Sequence, residues 1–411
     1  MKTIAHTTLV ILSKCGAGLL AALLLTTAQA RADEATLQER VKQLEQRLAE
    51  LEAKEAAATS VSTATIPAKT LEFLGQTEIG GGVMASYFYD TSKPGRSGTK
   101  IPLLGVSTYQ HNAFNPNMAE LYLSNPATAS ADKWDGGFKV SLLLGQDVAG
   151  LADGLSLGEH GAVFEAYAAL NIPVLNGVVL KAGKFATYIG NEVVQPWANR
   201  MITYGFQFAL VEPFTHTGVA AETAINDQWS LVLSVNNGWD QTTDLGDGVS
   251  FLGKLGFAPT KKTTFGLVGF LGPEGTGEAS ETRAGIDFLV SHAFSDALSG
   301  TLQFDWGTQD FDSGVSADWI AVGGWLAWDF AEKWALTLRG EYLDGDDGLP
   351  GLNLGTAAVK LYSGAVALAF RPGVPGLETR AEVRYDKSDD PVTFGDDDDR
   401  VVLSVAALYA F

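Results

Sequence analysis

The chain has 411 residues, of which 46% are hydrophobic, with 46 glycines, nine tryptophans, one cysteine and a net charge of −20. That sign disfavours a nucleic-acid partner, and a single cysteine excludes a disulfide framework. Abundant apolar residues without a long apolar run after residue 30 leave strands as the only way such a chain could cross a membrane.

Residues 1–30 read as a signal peptide: Lys2, an apolar run from Leu9 to Leu25, then Ala28-Gln29-Ala30, with Ala30-Arg31-Ala32 as an alternative cleavage site. Lys14 interrupts the run and leaves its remainder short of the ~20 residues of a spanning helix. Cys15 lies inside this segment, after Lys14 and ahead of more apolar residues, which is the wrong place for a lipidated cysteine; the exported chain would carry none. Residues 31–57 follow as a coiled-coil helix, with Leu37, Val41, Leu44, Leu48 and Leu51 spaced four, three, four, three. So short a helix is marginal alone and calls for partner copies. Residues 58–70 are a small-residue linker, and residues 71–411 form the barrel.

From Leu71 the period becomes two. In "LSGTLQFDWG", Leu298, Gly300, Leu302, Phe304 and Trp306 share one face, and Gln303 and Asp305 the other. In "LETRAEVRYD", Leu377, Ala381, Val383 and Tyr385 alternate with Glu378, Arg380, Glu382 and Arg384. Sixteen segments behave this way, near 72–90, 117–124, 136–147, 162–172, 177–187, 213–225, 229–239, 248–258, 263–272, 281–294, 298–310, 317–330, 334–345, 357–371, 377–388 and 400–411. Tight connections such as "NDQ", "PTKK" and "AEK" take turns with long Gly- and Asp-rich ones such as 91–116, 148–161, 188–212 and 389–399. The predicted fold is all-β: a transmembrane antiparallel β-barrel of 16 strands with periplasmic turns and external loops, preceded by the short N-terminal helix. Trp229 and Trp334 beside tight turns, and Tyr87, Tyr89, Trp239, Trp306 and Tyr342 toward the loops, suggest two aromatic girdles.

The stretch from Glu165 to Pro259 is similar to the OmpL-like β-barrel porins of Gram-negative outer membranes. Gly183-Lys184-Phe185, Gly190 with Glu192, "PFTHTG" at 213–218 and Asn237-Gly238-Trp239 carry the resemblance. Asn191 and "QTTDLGDG" depart from the family pattern. The resemblance implies a passive diffusion channel and supplies no catalytic residues.

The residues themselves agree on the absence of enzyme chemistry. Gly154-Leu155-Ser156-Leu157-Gly158 fits G-x-S-x-G, but lies in a loop between strands rather than at a strand-to-helix turn. His6, His111, His160, His216 and His292 lack metal-ligand spacing, and no cofactor motif is present. The working residues expected instead are charges facing the lumen: Glu165, Lys184, Glu192, Arg200, His216, Glu222, Arg283, Asp287, Arg339 and Glu341, together with Glu120, Lys139, Asp305, Glu378, Arg380, Glu382 and Arg384. Lys181 and Lys184, three apart, should point to opposite faces, Lys184 inward and Lys181 snorkelling from the lipid side. The loop from Tyr188 to Glu212 is expected to fold into the lumen, with Glu192 and Arg200 at the narrowest point.

The acidic loops, among them Asp389–Asp390 and Asp396–Asp399, should favour cations and could bridge to lipopolysaccharide phosphates through divalent ions. Tyr409 and Phe411 on the closing strand are placed in the periplasmic girdle as a signal read by the barrel assembly machinery. The chain is thus expected in the Gram-negative outer membrane with its helix in the periplasm, among lipid and lipopolysaccharide, as a homotrimer. A structural tether to peptidoglycan, or a barrel enzyme, are the alternatives.

Overall fold

The computed structural model describes residues 77–92, 111–150, 155–158, 160–243, 248–274, 281–310, 316–346, 358–390, 393–394 and 397–411, with isolated positions between 42 and 76. The chain divides into two units, residues 1–73 and 74–411. In the first, Lys42, Gln46, Arg47 and Phe73 are helical and exposed. The signal peptide, the leucine seam of the coiled coil and the linker lie outside the described residues.

The second unit is a closed antiparallel barrel in which each strand pairs with its sequence neighbours and the last pairs with the first. Its strands are β1 (Glu78–Asp90), β2 (Ala113–Asn125), β3 (Asp135–Leu144), β4 (Gly161–Ile172), β5 (Val178–Ala186), β6 (Thr215–Ala224), β7 (Trp229–Asn236) and β8 (Ser250–Thr260). They continue as β9 (Thr263–Pro273), β10 (Thr282–Ala293), β11 (Leu298–Asp310), β12 (Ser316–Ala331), β13 (Trp334–Asp346), β14 (Val359–Phe370), β15 (Leu377–Ser388) and β16 (Asp399–Ala410). All sixteen predicted strands are present. The largest difference is at the start, where Gly75 and Gln76 are helical and β1 begins at Glu78 rather than near 72.

The two-residue period does what it predicts. Along β15, every second residue from Arg380 to Ser388 is buried and the residues between are exposed. Outward residues are apolar, among them Val83, Leu233, Phe251, Leu302, Val366 and Leu403. On the turn side the outer wall carries Trp229 stacked on Phe257 and Trp334 against Phe370. Tyr87 with Phe114 and Tyr342 with Tyr362 lie on the loop side. Trp239 is not part of that girdle: it turns inward against Phe270 and Trp319, with the Arg283 guanidinium 4.4 Å from its ring. The connection between β2 and β3, which has no turn signature in the sequence, is held by Asn171, whose buried amide donates to the carbonyls of Ser130 (2.9 Å) and Lys133 (2.7 Å).

The first and last strands close the seam. β1 and β16 run in register from Gly82 opposite Ala410 to Asp90 opposite Val402. Beyond it Gly81 and Phe411 exchange backbone hydrogen bonds of 3.1 and 3.0 Å. Tyr409 and Phe411 are both exposed on the outer wall. The final residue is therefore a full member of the ladder, with its ring on the apolar exterior.

Candidate functional site

Residues 187–214, the third long connection (L3), leave the loop end of β5 and fold into the barrel. Their base is a clasp built from the "PFTHTG" segment. The Thr187 amide donates to the Phe214 carbonyl (3.1 Å). Both ring nitrogens of buried His216 are occupied, Nδ1 against the Gly238 carbonyl and Nε2 against the Thr187 hydroxyl, each at 3.1 Å. Asp240 accepts from the amides of Phe214 and Thr215 at 2.8 Å. His216 is thus a strut at the neck of L3.

Beyond the clasp, L3 crosses to the opposite wall. The Arg339 guanidinium, fully buried on β13, donates to Glu192 Oε1 (2.8 Å) and to the Thr203 carbonyl (2.6 Å). It also contacts Glu341 Oε2 at 3.1 Å, as an ion pair without the alignment of a hydrogen bond. On β15, Glu382 accepts from the amides of Ile202 (2.5 Å) and Thr203 (3.3 Å). Arg380 donates to the carbonyls of Pro196 and Met201, and Arg384 to that of Tyr204. The ladder continues behind L3 through Asp386 to Arg400 and Asp90. Charge-assisted bonds to backbone groups give an irregular segment the partners that a helix or sheet would otherwise supply. Gly82 on β1 marks a close approach, since a Cβ there would lie 2.6 Å from the indole of Trp197.

A short helix, α1 (Phe206–Leu210), ends the excursion with every residue buried. Phe206, Phe208, Leu210 and Tyr204 join inward-facing Trp319, Ala321, Leu343 and Leu361 in one apolar cluster that also reaches Met118, Leu143 and Phe164 on the far wall. An apolar core inside the barrel departs from the expected charged lumen. It arises because the loop-side ends of β12–β14 carry apolar residues on the inner face as well as the outer. Asp147, in the 3-10 turn after β3, is packed against this region, and burial pushes its carboxyl up to about 8 despite hydrogen bonds from Asn117. Where L3 descends again, Gln303 donates to Glu212 (2.5 Å) and Asp305 (3.2 Å), and Gln207 donates to Asp305 (2.6 Å). Burial, with Asp287 nearby, holds the Glu212 carboxyl well above the usual carboxylate range.

The opposite side of the interior is wet. Lys139 pairs with Glu165, and Lys181 with Glu222 at 2.5 Å; the Lys139, Lys181 and Glu222 side chains keep 22–29% of their surface exposed. Tyr167 and Tyr188 stand beside Lys181, and the Tyr188 hydroxyl donates to Glu222 (2.5 Å). Lys254 donates to the Tyr188 carbonyl (2.8 Å). Lys181 is therefore not on the lipid face. The strict alternation that separates it from Lys184 is broken at Gly183, whose φ of +133° needs glycine. Lys184 is buried and donates to the Val163 carbonyl (3.1 Å).

The structure brings Glu192, Arg339 and Glu341 together, sets Asp287 opposite Asp305 across β10 and β11, and places Glu165 beside Lys139. Arg200 lines the same cavity as Glu192, and three hydrogen bonds of 3.1–3.2 Å tie it to Asp329 near the turn-side end of β12. Arg283 packs between Gln309, Glu274 and Trp239. Sequence reading missed Gln207, Glu212, Gln303 and Lys254. The first two lie in a loop without periodicity, whereas Gln303 and Lys254 were reachable by alternation. Ser156 sits in a loop, its hydroxyl donating to the Gly158 carbonyl. Among the described residues no cluster of His, Cys, Asp and Glu could hold a metal ion.

A closed, even-stranded barrel with an apolar outer wall, a charged inner wall and a loop folded into its lumen has the architecture of an outer-membrane porin. Residues 76–411 match the family described as "Putative beta-barrel porin-2, OmpL-like", and the chain belongs to that outer-membrane porin family. No curated protein sequence matches the chain. Among solved structures it is similar to the outer membrane channel DcaP of Acinetobacter baumannii, at 13% identity and TM-score 0.55, covering 82% of this chain and 97% of that one. It is similar also to an anion-selective porin from Comamonas acidovorans, at 12% identity and TM-score 0.53, covering 82% and 99%. The trimer form of OmpT from Vibrio cholerae matches at 11% identity and TM-score 0.54, covering 82% and 99%. At such identities the likeness is one of fold.

Proposed function

We propose that this chain is a passive diffusion channel for ions and small hydrophilic solutes, with its water path confined to one side of the barrel. The observation that carries this reading is the asymmetry of the inner wall. Interior residues of β13–β16 are sealed against L3, whereas Lys139, Tyr167, Lys181, Glu222 and Lys254 on β3–β8 keep solvent contact. Paired charges along that wall set a transverse field, which sorts solutes by charge as well as size.

Cation preference is the selectivity we infer. Carboxylates outnumber cationic groups among the buried residues of the inner wall and L3, and the whole chain carries −20. A like-charged fold concentrates counter-ions at its mouth. Planar bilayers with a potassium chloride gradient test this. The reversal potential should have the sign of potassium permeating faster than chloride, as the anion-selective relative would not; the opposite sign refutes the inference, and no conductance refutes the channel.

We further infer that Tyr409 and Phe411 act in assembly rather than transport. Their rings, 6.4 Å apart on the outer wall, face away from the lumen. Removing Phe411 should lower the yield of folded barrel in the outer membrane several-fold while leaving the single-channel conductance of the folded fraction unchanged. Normal yield, or altered conductance, would count against the assignment.

A further inference from the structure

Beneath L3, on the turn side of the barrel, lies a polar cavity of about 180 Å³. Its roof is the underside of L3, with Asn191, Asn199 and Arg200; its floor is Trp325 on β12, Thr337 on β13 and Ser299 on β11. The floor residues stand only a few positions from the turn ends of their strands, and Arg200 is exposed, so water reaches the cavity.

The charges of its lining are already satisfied. Glu192 accepts from Arg339, from the Gly205 amide (2.6 Å) and from the Trp325 indole (3.2 Å). Arg200 is held on Asp329 by three hydrogen bonds. A charged ligand would have to break one of these pairs. Asn199 is held by the Val193 backbone and Thr301 by Ser291, but three neutral polar groups are in the opposite condition. The Thr337 hydroxyl and the Ser299 hydroxyl have no hydrogen-bond partner among the described residues, and neither has the Asn191 side-chain amide. Thr337 lines the cavity, so a polar group that enters can give its hydroxyl a hydrogen bond in place of water. The Trp325 ring, fixed through its N–H to Glu192, adds one apolar face. A space of about 180 Å³ is on the scale of a single six-membered ring.

We propose that this cavity is a binding subsite for a small uncharged polyhydroxylated solute of single-ring size, its hydroxyls meeting Thr337, Ser299 and Asn191 and its apolar face meeting Trp325. The proposal rests on the channel reading and names the class of solute that would pause at the turn-side mouth, against β11–β13 and beside the β3–β8 path.

Isothermal titration of the detergent-solubilised full chain with glucose tests it, with sucrose and sodium acetate as the larger and the charged probe. Glucose should bind saturably, with sucrose and acetate much weaker. Thr337→Val, which keeps the shape and removes the hydroxyl, should weaken binding about three- to tenfold, the worth of one lost hydrogen bond. Trp325→Leu should weaken it at least as much, and Ser299→Ala serves if either variant fails to fold. Absence of saturable glucose binding, binding that these substitutions leave unchanged, or acetate binding as tightly as glucose would each overturn the subsite. Conductance in potassium chloride separates the two readings. A barrel that conducts without binding glucose loses the subsite alone, and one that binds glucose without conducting loses the channel.

Discussion

A barrel lacking residues 193–205 should conduct at least about threefold more current per channel than the full chain, since sixteen paired strands by themselves leave an aqueous lumen. The excision is geometrically mild. The Gly205 amide donates to the Glu192 carboxylate, so the two ends of the deleted stretch already lie side by side. The wall does not depend on L3 for its pairing, because every strand has two neighbours in the closed ladder and the β1–β16 seam is continuous. What the deletion removes is the material across the lumen: Trp197 against Gly82, Met201 and Ile202 over β14–β16, and the carbonyls that Arg380 and Arg384 grip. The freed guanidinium groups and carboxylates then face water in a widened bore, where hydration replaces the lost partners. Planar-bilayer recordings of purified barrels give the measurement directly. Conductance equal to that of the full chain would mean that ions pass where L3 does not reach, and would remove L3 from the permeation argument.

The barrel was legible because lipid and lumen alternate along each strand, so burial and sequence share a period of two. Asp305, Arg339, Glu341, Glu382 and Arg384 fall on the inner face by that rule alone. Alternation also has definite points of failure. At Gly183 a positive φ lets Lys181 and Lys184 both avoid lipid, which no strict period can anticipate. At Trp319, Leu343 and Leu361 the inner face is apolar because its solvent is α1 and not water. Trp239 went astray for the same reason: an aromatic near a loop is as well placed to pack on such a core as on a girdle. Where L3 goes was foreseeable from its length and composition. Which side chains receive it was not, since Glu192 and Arg339 are 147 positions apart and nothing local links them. For the same reason the pairing of Arg200 with Asp329, 129 positions away, could not be read from the sequence.

Replacing Arg339 by methionine should release L3 more than any other single substitution in the wall. The arginine is the meeting point of Glu192 from L3, Glu341 from its own strand, and the Thr203 backbone and hydroxyl. Methionine retains much of the volume and none of the charge, so Glu192 and Glu341 are left buried without their counter-ion. Breaking a buried pair from one side costs about 3–5 kcal/mol. That cost falls on the docked state of L3, since an undocked loop returns both carboxylates to water. At 1.4 kcal/mol per decade, the undocked population should therefore rise by about two to three and a half orders of magnitude. Hydrogen exchange across 192–205 should accelerate accordingly while the strand amides stay protected, and single-channel records should show brief excursions to a higher conductance. Adding Glu192→Gln should restore part of the protection, because it removes one of the two stranded charges; the coupling between the pair is what a double-mutant cycle reads. If Arg339→Met leaves L3 exchange unchanged, the apolar contacts of α1 with Trp319 and Leu343 hold the loop by themselves, and the arginine ladder tunes the field of the lumen without setting its width.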